Sequence, residues 1–115
     1  MAPPMSIPVP LPELAGTMSR FGSAPYLLTV GPDATPHAAS VTVEWQDGSL
    51  LAGAGRRTAA NLRANHALAL LWPPPSPGDY SLIVDGIGAV REEGPHLVVM
   101  IQPTSAVLHV TARSD

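Results

Sequence analysis

YLLTVGPDATPHAASVTVEW, residues 26–45, is the stretch on which the fold turns. Tyr26–Val30 reads as a first strand, an apolar run bounded by turn residues. The GPDATP segment that follows is a turn, because Pro32 and Asp33 suit the first positions of a type I turn. Beyond it Val41, Val43 and Trp45 face one way while Ser40, Thr42 and Glu44 face the other, the alternation of a half-buried strand. Two strands about one turn predict a hairpin, with its second arm at Ser40–Trp45.

Working outward, Gln46-Asp47-Gly48 is a second tight turn, with Asp-Gly as the strong hairpin signal, and Ser49–Ala52 a third short strand. A helix is predicted over Thr58–Asn65, with Thr58 as N-cap and Ala59, Leu62 and His66 on one side. Ala67–Trp72 reads as a fourth strand, PPPSPGD as a rigid loop, and Tyr80–Val90 as a long strand. Gly86 and Gly88 mark a bend or bulge in it, of the kind used at barrel corners. Glu92-Glu93-Gly94-Pro95 is the turn into a strand at Leu97–Gln102, and Ala106–Ala112 completes the set.

Upstream, five of the chain's 14 prolines fall in its first twelve residues, which predicts an extended Pro-rich arm over residues 1–10. From Pro12, ELAGTMSRFG carries Leu14, Met18 and Phe21 on one side of a short helix ended by Gly22. Residues 11–115 then form one domain. Six or seven strands with short hairpin links and one or two helices imply a mainly β fold, an antiparallel barrel or sandwich.

Composition narrows the chemistry. At 115 residues the chain can bury roughly 65% of its unfolded surface, enough for one core. With no Cys, thiol catalysis, disulfides and Cys-based metal sites are closed. All six basic residues are Arg, so Schiff-base chemistry and a Walker-type phosphate loop, which need Lys, are closed as well. A net charge of −3 argues against a nucleic-acid surface. No apolar run is long enough to span a membrane, and the Pro-broken N-terminus does not read as a signal peptide, so a cytoplasmic location is the expectation.

His37, His66, His96 and His109 show no zinc-type spacing, and no metal site is expected. No G-x-S-x-G elbow supports nucleophilic hydrolysis. The stretch GAGRRTAANLRANH, residues 53–66, stands apart, because it holds three of the six Arg residues. Gly53 and Gly55 let backbone come close to a ligand, Arg56 and Arg57 add charge, and a helix begins directly afterwards, which together make an anion site. The alternative is that the arginines are solvated, or pair with Asp79 or Glu44.

The order of these parts resembles the FMN-binding split β-barrel family typified by pyridoxamine 5'-phosphate oxidase. The pieces that carry the resemblance are residues 26–45, SLLAGAGRRTAANLRANHALALLW (49–72) and SLIVDGIGAV (81–90). It implies a homodimer with flavin in two clefts between subunits. By position it implicates Arg56, Arg57, Thr58 and Asn61 around the FMN phosphate. Val41, Thr42, Val43, Ala52 and Gly53 would lie along the flavin ring. Family members that bind FMN commonly carry Lys or Arg three residues before the Asn-Leu pair, where this chain has Thr58, with Arg57 one residue earlier. The extra C-terminal segment expected to help hold substrate in the full oxidases has no counterpart before Asp115. Two functions follow from the resemblance. One is an FMN- or deazaflavin-dependent oxidoreductase acting on a small molecule, with no recognisable catalytic acid or base. The other is a dimeric barrel that binds haem or another small ligand, with weak or no flavin.

Overall fold

A computed structural model describes residues 5–111. Eight strands and two helices occur among them. In chain order these are β1 (Ser6–Pro8), α1 (Leu14–Met18, preceded by a 3-10 turn at Leu11–Glu13), β2 (Tyr26–Val30) and β3 (Pro36–Ser40). Then come β4 (Val43–Gln46), β5 (Ser49–Ala54), α2 (Arg56–Ala64), β6 (Ala67–Trp72), β7 (Ser81–Glu93) and β8 (His96–His109). All strand pairs are antiparallel, in the order β3-β2-β6-β7-β8-β5-β4, with β1 added along β8. Residues 6–8 of the expected arm are thus part of the sheet, while its residues 1–4 lie outside the described residues, as does Ala112 at the end of the last expected strand.

The first turn is built as its sequence requires. The Ala34 N–H donates to the Gly31 carbonyl at 2.9 Å, and the Gly31 N–H to the Thr35 carbonyl at 3.0 Å. Ala34 has φ of 65°, so the three-residue loop is a type I turn followed by a left-handed residue. Asp47 (φ 51°) and Gly48 (φ 83°) make the second turn, both left-handed as the Asp-Gly pair predicts.

The second arm of the hairpin differs from its sequence reading. Residues 40–45 are not one strand: β2 pairs with Pro36–Ser40, and Val43–Gln46 belongs to a separate strand paired with β5. Between them the Val41 N–H donates to the Pro25 carbonyl and the Val43 N–H to the Ser23 carbonyl, which carries the chain from β2 across to β5. Val41 and Val43 do share a face and are buried, but Trp45, third in that row, is 41% exposed where the strand reaches the barrel rim. Alternation specifies faces, and it says nothing of which strand lies alongside.

The two strands expected at Leu97–Gln102 and Ala106–Ala112 are one strand, β8. Pro103 has no N–H to give to a ladder, which is why the sequence reads as broken there. The structure accommodates it in a bulge: Asp85 is opposite Ser105 and Gly86 opposite Pro103, leaving Thr104 as the extra residue. Thr104 Oγ1 closes the gap by donating to the Asp85 carbonyl at 3.2 Å. The bend expected at Gly86 and Gly88 falls here. A Cβ on Gly86 would lie 2.8 Å from the Gln102 carbonyl oxygen, and one on Gly88 would lie 2.6 Å from Leu68 Cδ2. Gly86→Ala is therefore expected to destabilise the fold by about 1–3 kcal/mol, because the obstacle is backbone and cannot rotate away. Urea unfolding of the variant checks this, and an unchanged midpoint would remove the close approach as the reason for Gly86.

Inward side chains of six strands (β2 and β4–β8) and of α1 form the core, with Leu27, Leu50, Leu70, Trp72, Leu82, Val84, Val99 and Ile101 all fully buried beside Leu14. Each such side chain contributes about 1.5–3 kcal/mol on burial. Helix α2 closes one end of this core through Ala59 and Leu62. It is tied to β2 by Asn61 Nδ2, which donates to Thr29 Oγ1 at 3.1 Å, and its exit is tied to β7 by the Gly88 N–H, which donates to the His66 carbonyl at 2.9 Å. No helix among the described residues is long and apolar enough to cross a membrane.

Candidate functional site

The β5–α2 junction carries the chain's densest positive charge. Helix α2 begins earlier than its sequence suggests, at Arg56, with Gly55 as N-cap in extended conformation. Thr58 is consequently not the cap: it sits inside the first turn and is 2% exposed. The Ala59 N–H donates to the Gly55 carbonyl at 3.0 Å, the first bond of the helix. The N–H groups of Arg56, Arg57 and Thr58 come before any intrahelical acceptor, at the positive end of the helix dipole.

A cleft of about 630 Å³ opens in front of this helix start. One wall is the backbone of Gly53, Ala54 and Gly55 with Arg56, and the other is the β7–β8 turn, with Glu93, His96 and Leu97. A Cβ added to Gly53 or Gly55 would meet nothing within 4 Å, and neither residue has a positive φ. The fold itself does not demand glycine at either position. What their small size leaves is bare backbone facing open space, the requirement for close approach of a ligand. Among the described residues Arg56 and Arg57 make no ion pair, with Asp79 and Glu44 or with any other carboxylate.

The two arginines diverge. Arg56 lines the cleft, whereas Arg57 is not among its lining residues and lends its positive charge to Asp33 in the β2–β3 turn. Consecutive helical positions are turned by about 100° from one another, which is enough to aim one side chain at each neighbour. Asn61 belongs to Arg57's side of the helix, since a Cβ on Gly31 of that turn would lie 3.3 Å from Asn61 Oδ1. Val41, Val43 and Ala52 are core residues with buried side chains, and Thr42 and Gly53 are exposed. Of the nine positions implicated by the resemblance, Gly53 and Arg56 thus share the cleft. Arg57, Thr58 and Asn61 flank or underlie it, and the remaining four lie along β4, its entry and β5. His96 and Glu93, which sequence spacing did not single out as ligands, are brought to the cleft by the β7–β8 pairing.

Thr35 holds the Asp33 carboxylate below the usual carboxylate range, first through its hydroxyl and then through its N–H, 3.1 Å from Oδ1; the Arg57 charge adds a smaller push the same way. A value lowered on folding contributes stability that is present above the unfolded value and is lost as pH falls through the lowered one. Asp33→Asn is expected to flatten that part of the stability profile between neutral pH and about pH 3. Urea midpoints of the two proteins across this range check the expectation, and parallel curves would contradict it.

No protein-family model matches the chain. Two curated relatives, uncharacterized proteins of Mycobacterium bovis and Mycobacterium tuberculosis, are each 41% identical to it over 64 residues. The match takes in 53% of this chain and 45% of each relative, so the chain covers less than half the length of either. Solved structures match over more of the chain. A Listeria innocua protein assigned as a pyridoxamine 5'-phosphate oxidase superposes with a TM-score of 0.70 at 17% identity, over 85% of this chain and 96% of that one. An F420 reductase gives 0.61 at 21% identity, over 73% and 88%. HutZ, the haem storage protein of Vibrio cholerae, gives 0.65 at 11% identity, over 86% and 93%. Identities this low speak for the fold alone, and with the strand order and the bulged β7–β8 pair they show that the chain has the split β-barrel fold of these structures.

Proposed function

We propose that the chain is a small flavin-binding oxidoreductase that takes FMN, or a deazaflavin, by its phosphate at the β5–α2 junction and works as a homodimer. The observation that carries this reading is the cleft at the start of α2, where unpaired Arg56, free helix N–H groups and the bare backbone of Gly53 and Gly55 converge. Each of these suits a phosphate: the guanidinium forks onto its oxygens, the N–H groups donate to it, and the glycines let it approach. A bound flavin supplies hydride or electron transfer, and the protein's share is then binding, orientation and exclusion of water. Glu93 and His96 on the facing wall are placed to shape whatever part of the ligand projects from the phosphate. Similarity to a pyridoxamine 5'-phosphate oxidase-type protein and to an F420 reductase supports the flavin or deazaflavin reading.

The dimer reading is supported by an apolar row on the outer face of the sheet. Registered pairing places Tyr26, Leu71, Ile83, Val107 and Pro8 side by side across five strands, all pointing away from the core. Val30, Ile87 and Met100, also outward, are each more than a third exposed. The fold is flat, 52 × 33 × 22 Å, with a radius of gyration of 14.7 Å against about 13 Å for a compact chain of this length. A second copy on the outer face would bury this surface.

One observation favours a second reading, a haem-binding module. His96 lines the same cleft, and the haem storage protein shares the fold. Titration of the purified full chain with FMN, by quenching of flavin fluorescence, and with haemin, by its absorption band, decides between them. Saturable FMN binding supports the oxidoreductase. Haem uptake abolished by His96→Ala, with no FMN binding, overturns it.

A further inference from the structure

The PPPSPGD loop, residues 73–79, plays no part in the Arg56 cleft. It closes a second hollow, of about 300 Å³, lined by Arg20, Phe21, Pro75, Asp79, Tyr80 and Leu108. We propose that this hollow binds a free α-amino acid with an apolar or aromatic side chain, its carboxylate on Arg20 and its ammonium on Asp79.

Charge is the first ground. Arg20 and Asp79 line one small hollow and do not pair with each other; the ion pair among the described residues is Arg91 with Glu93. A simple anion would meet Asp79 as a like charge, and a simple cation would meet Arg20. A zwitterion satisfies both, with the guanidinium fork suited to the carboxylate. Phe21, Tyr80, Pro75 and Leu108 complete the lining, an apolar surface for a side chain beside the two charges. The volume is at the low end for ligand pockets, which limits the occupant to a small molecule.

Rigidity is the second ground. The wall at Arg20–Gly22 is fixed to the barrel by Trp72, 1% exposed, whose Nε1–H donates to the Gly22 carbonyl at 2.9 Å. The opposing wall has four prolines in the five positions 73–77, followed by Gly78 at φ 87° and an Asp79 N–H that donates to the Ser76 carbonyl at 3.1 Å. Proline removes backbone freedom before any ligand arrives, so little ordering cost is left for binding. A loop this stiff is more than a connection between β6 and β7 needs.

The test is a ¹H–¹⁵N NMR titration of the full chain with millimolar L-phenylalanine, independent of flavin. The expected result is saturable shifts of the Trp72 indole N–H and of the amides at 20–22 and 79–80, with the α2 amides still. Arg20→Gln and Asp79→Asn should each weaken binding about tenfold, the effect of one lost charge-assisted hydrogen bond, and leave FMN affinity unchanged. 3-Phenylpropanoate, which lacks the ammonium, should bind wild type more weakly than L-phenylalanine does, and Asp79→Asn should tighten it rather than weaken it. 2-Phenylethylamine, which lacks the carboxylate, should likewise bind wild type weakly and be tightened, not weakened, by Arg20→Gln. Absence of shifts, shifts confined to the Arg56 cleft, or binding indifferent to both substitutions overturns the proposal.

Discussion

Arg56→Ala is expected to weaken FMN binding about ten- to a hundredfold, whereas Arg57→Ala has a much smaller effect. A hydrogen bond to a charged group is worth about 1.5–3 kcal/mol, and every 1.4 kcal/mol is about tenfold in affinity. Arg56 lines the cleft at the helix start, while Arg57 lends its charge to Asp33. Both side chains are exposed and outside the core, so neither substitution should disturb the barrel. Fluorescence titration of FMN into the two variants measures the difference, with the urea midpoint as a check on folding. If Arg57→Ala is the more damaging, the phosphate lies on the β2–β3 turn side of α2. If neither matters in a protein that binds FMN, the site is elsewhere. Thr58→Arg offers a contrast. It would put a basic residue at the position that FMN-binding family members commonly fill with one, but at 2% exposure it would force a guanidinium into the space beneath the helix. Loss of stability is expected, without the tightening that an exposed charge there would bring.

Ile87→Asp is expected to convert the proposed dimer to monomer. Ile87 is 54% exposed in the single chain and lies on the outer face of β7, opposite Ala67 of β6. Its replacement costs the protomer little. In a two-fold interface each substitution occurs twice, and each aspartate would lose its water on association without a cation to meet it. A rise in the dimer dissociation constant of at least about a hundredfold is the expectation, from a penalty of a few kcal/mol. Sedimentation at micromolar protein reads it directly. Wild type that is already monomeric would refute the dimer, and an Ile87→Asp dimer of unchanged strength would move the interface off this face.

The hairpin reading of residues 26–45 shows how far local chemistry carries. Pro32 and Asp33 set the first turn, Asp47-Gly48 the second, and the apolar run Ala67–Trp72 is a strand from end to end. These depend on residues close in sequence, whose φ preferences and alternation are visible in the letters alone. The same holds for the glycine bend in β7 and for the existence of α2. That Gly53 and Arg56 flank a helix start was legible for a similar reason: a glycine pair, an arginine and a helix start are all local features. What tertiary structure decided was neighbours. Val41 and Val43 show a buried face, but only the path of the chain past Pro25 and Ser23 assigns Val43–Gln46 to β5. Pro103 reads as a strand end, and only the extra residue Thr104, opposite the Asp85–Gly86 step, lets β8 run through it. Arg56 and Arg57 are adjacent in sequence, yet helical rotation and the placement of α2 over the barrel end leave Arg56 lining the cleft that His96 also lines, while the charge of Arg57 is felt at Asp33. Faces and turns are properties of a few consecutive residues. Partners depend on what other segments bring to the same place, and that is set when the core closes around Trp72 and its neighbours.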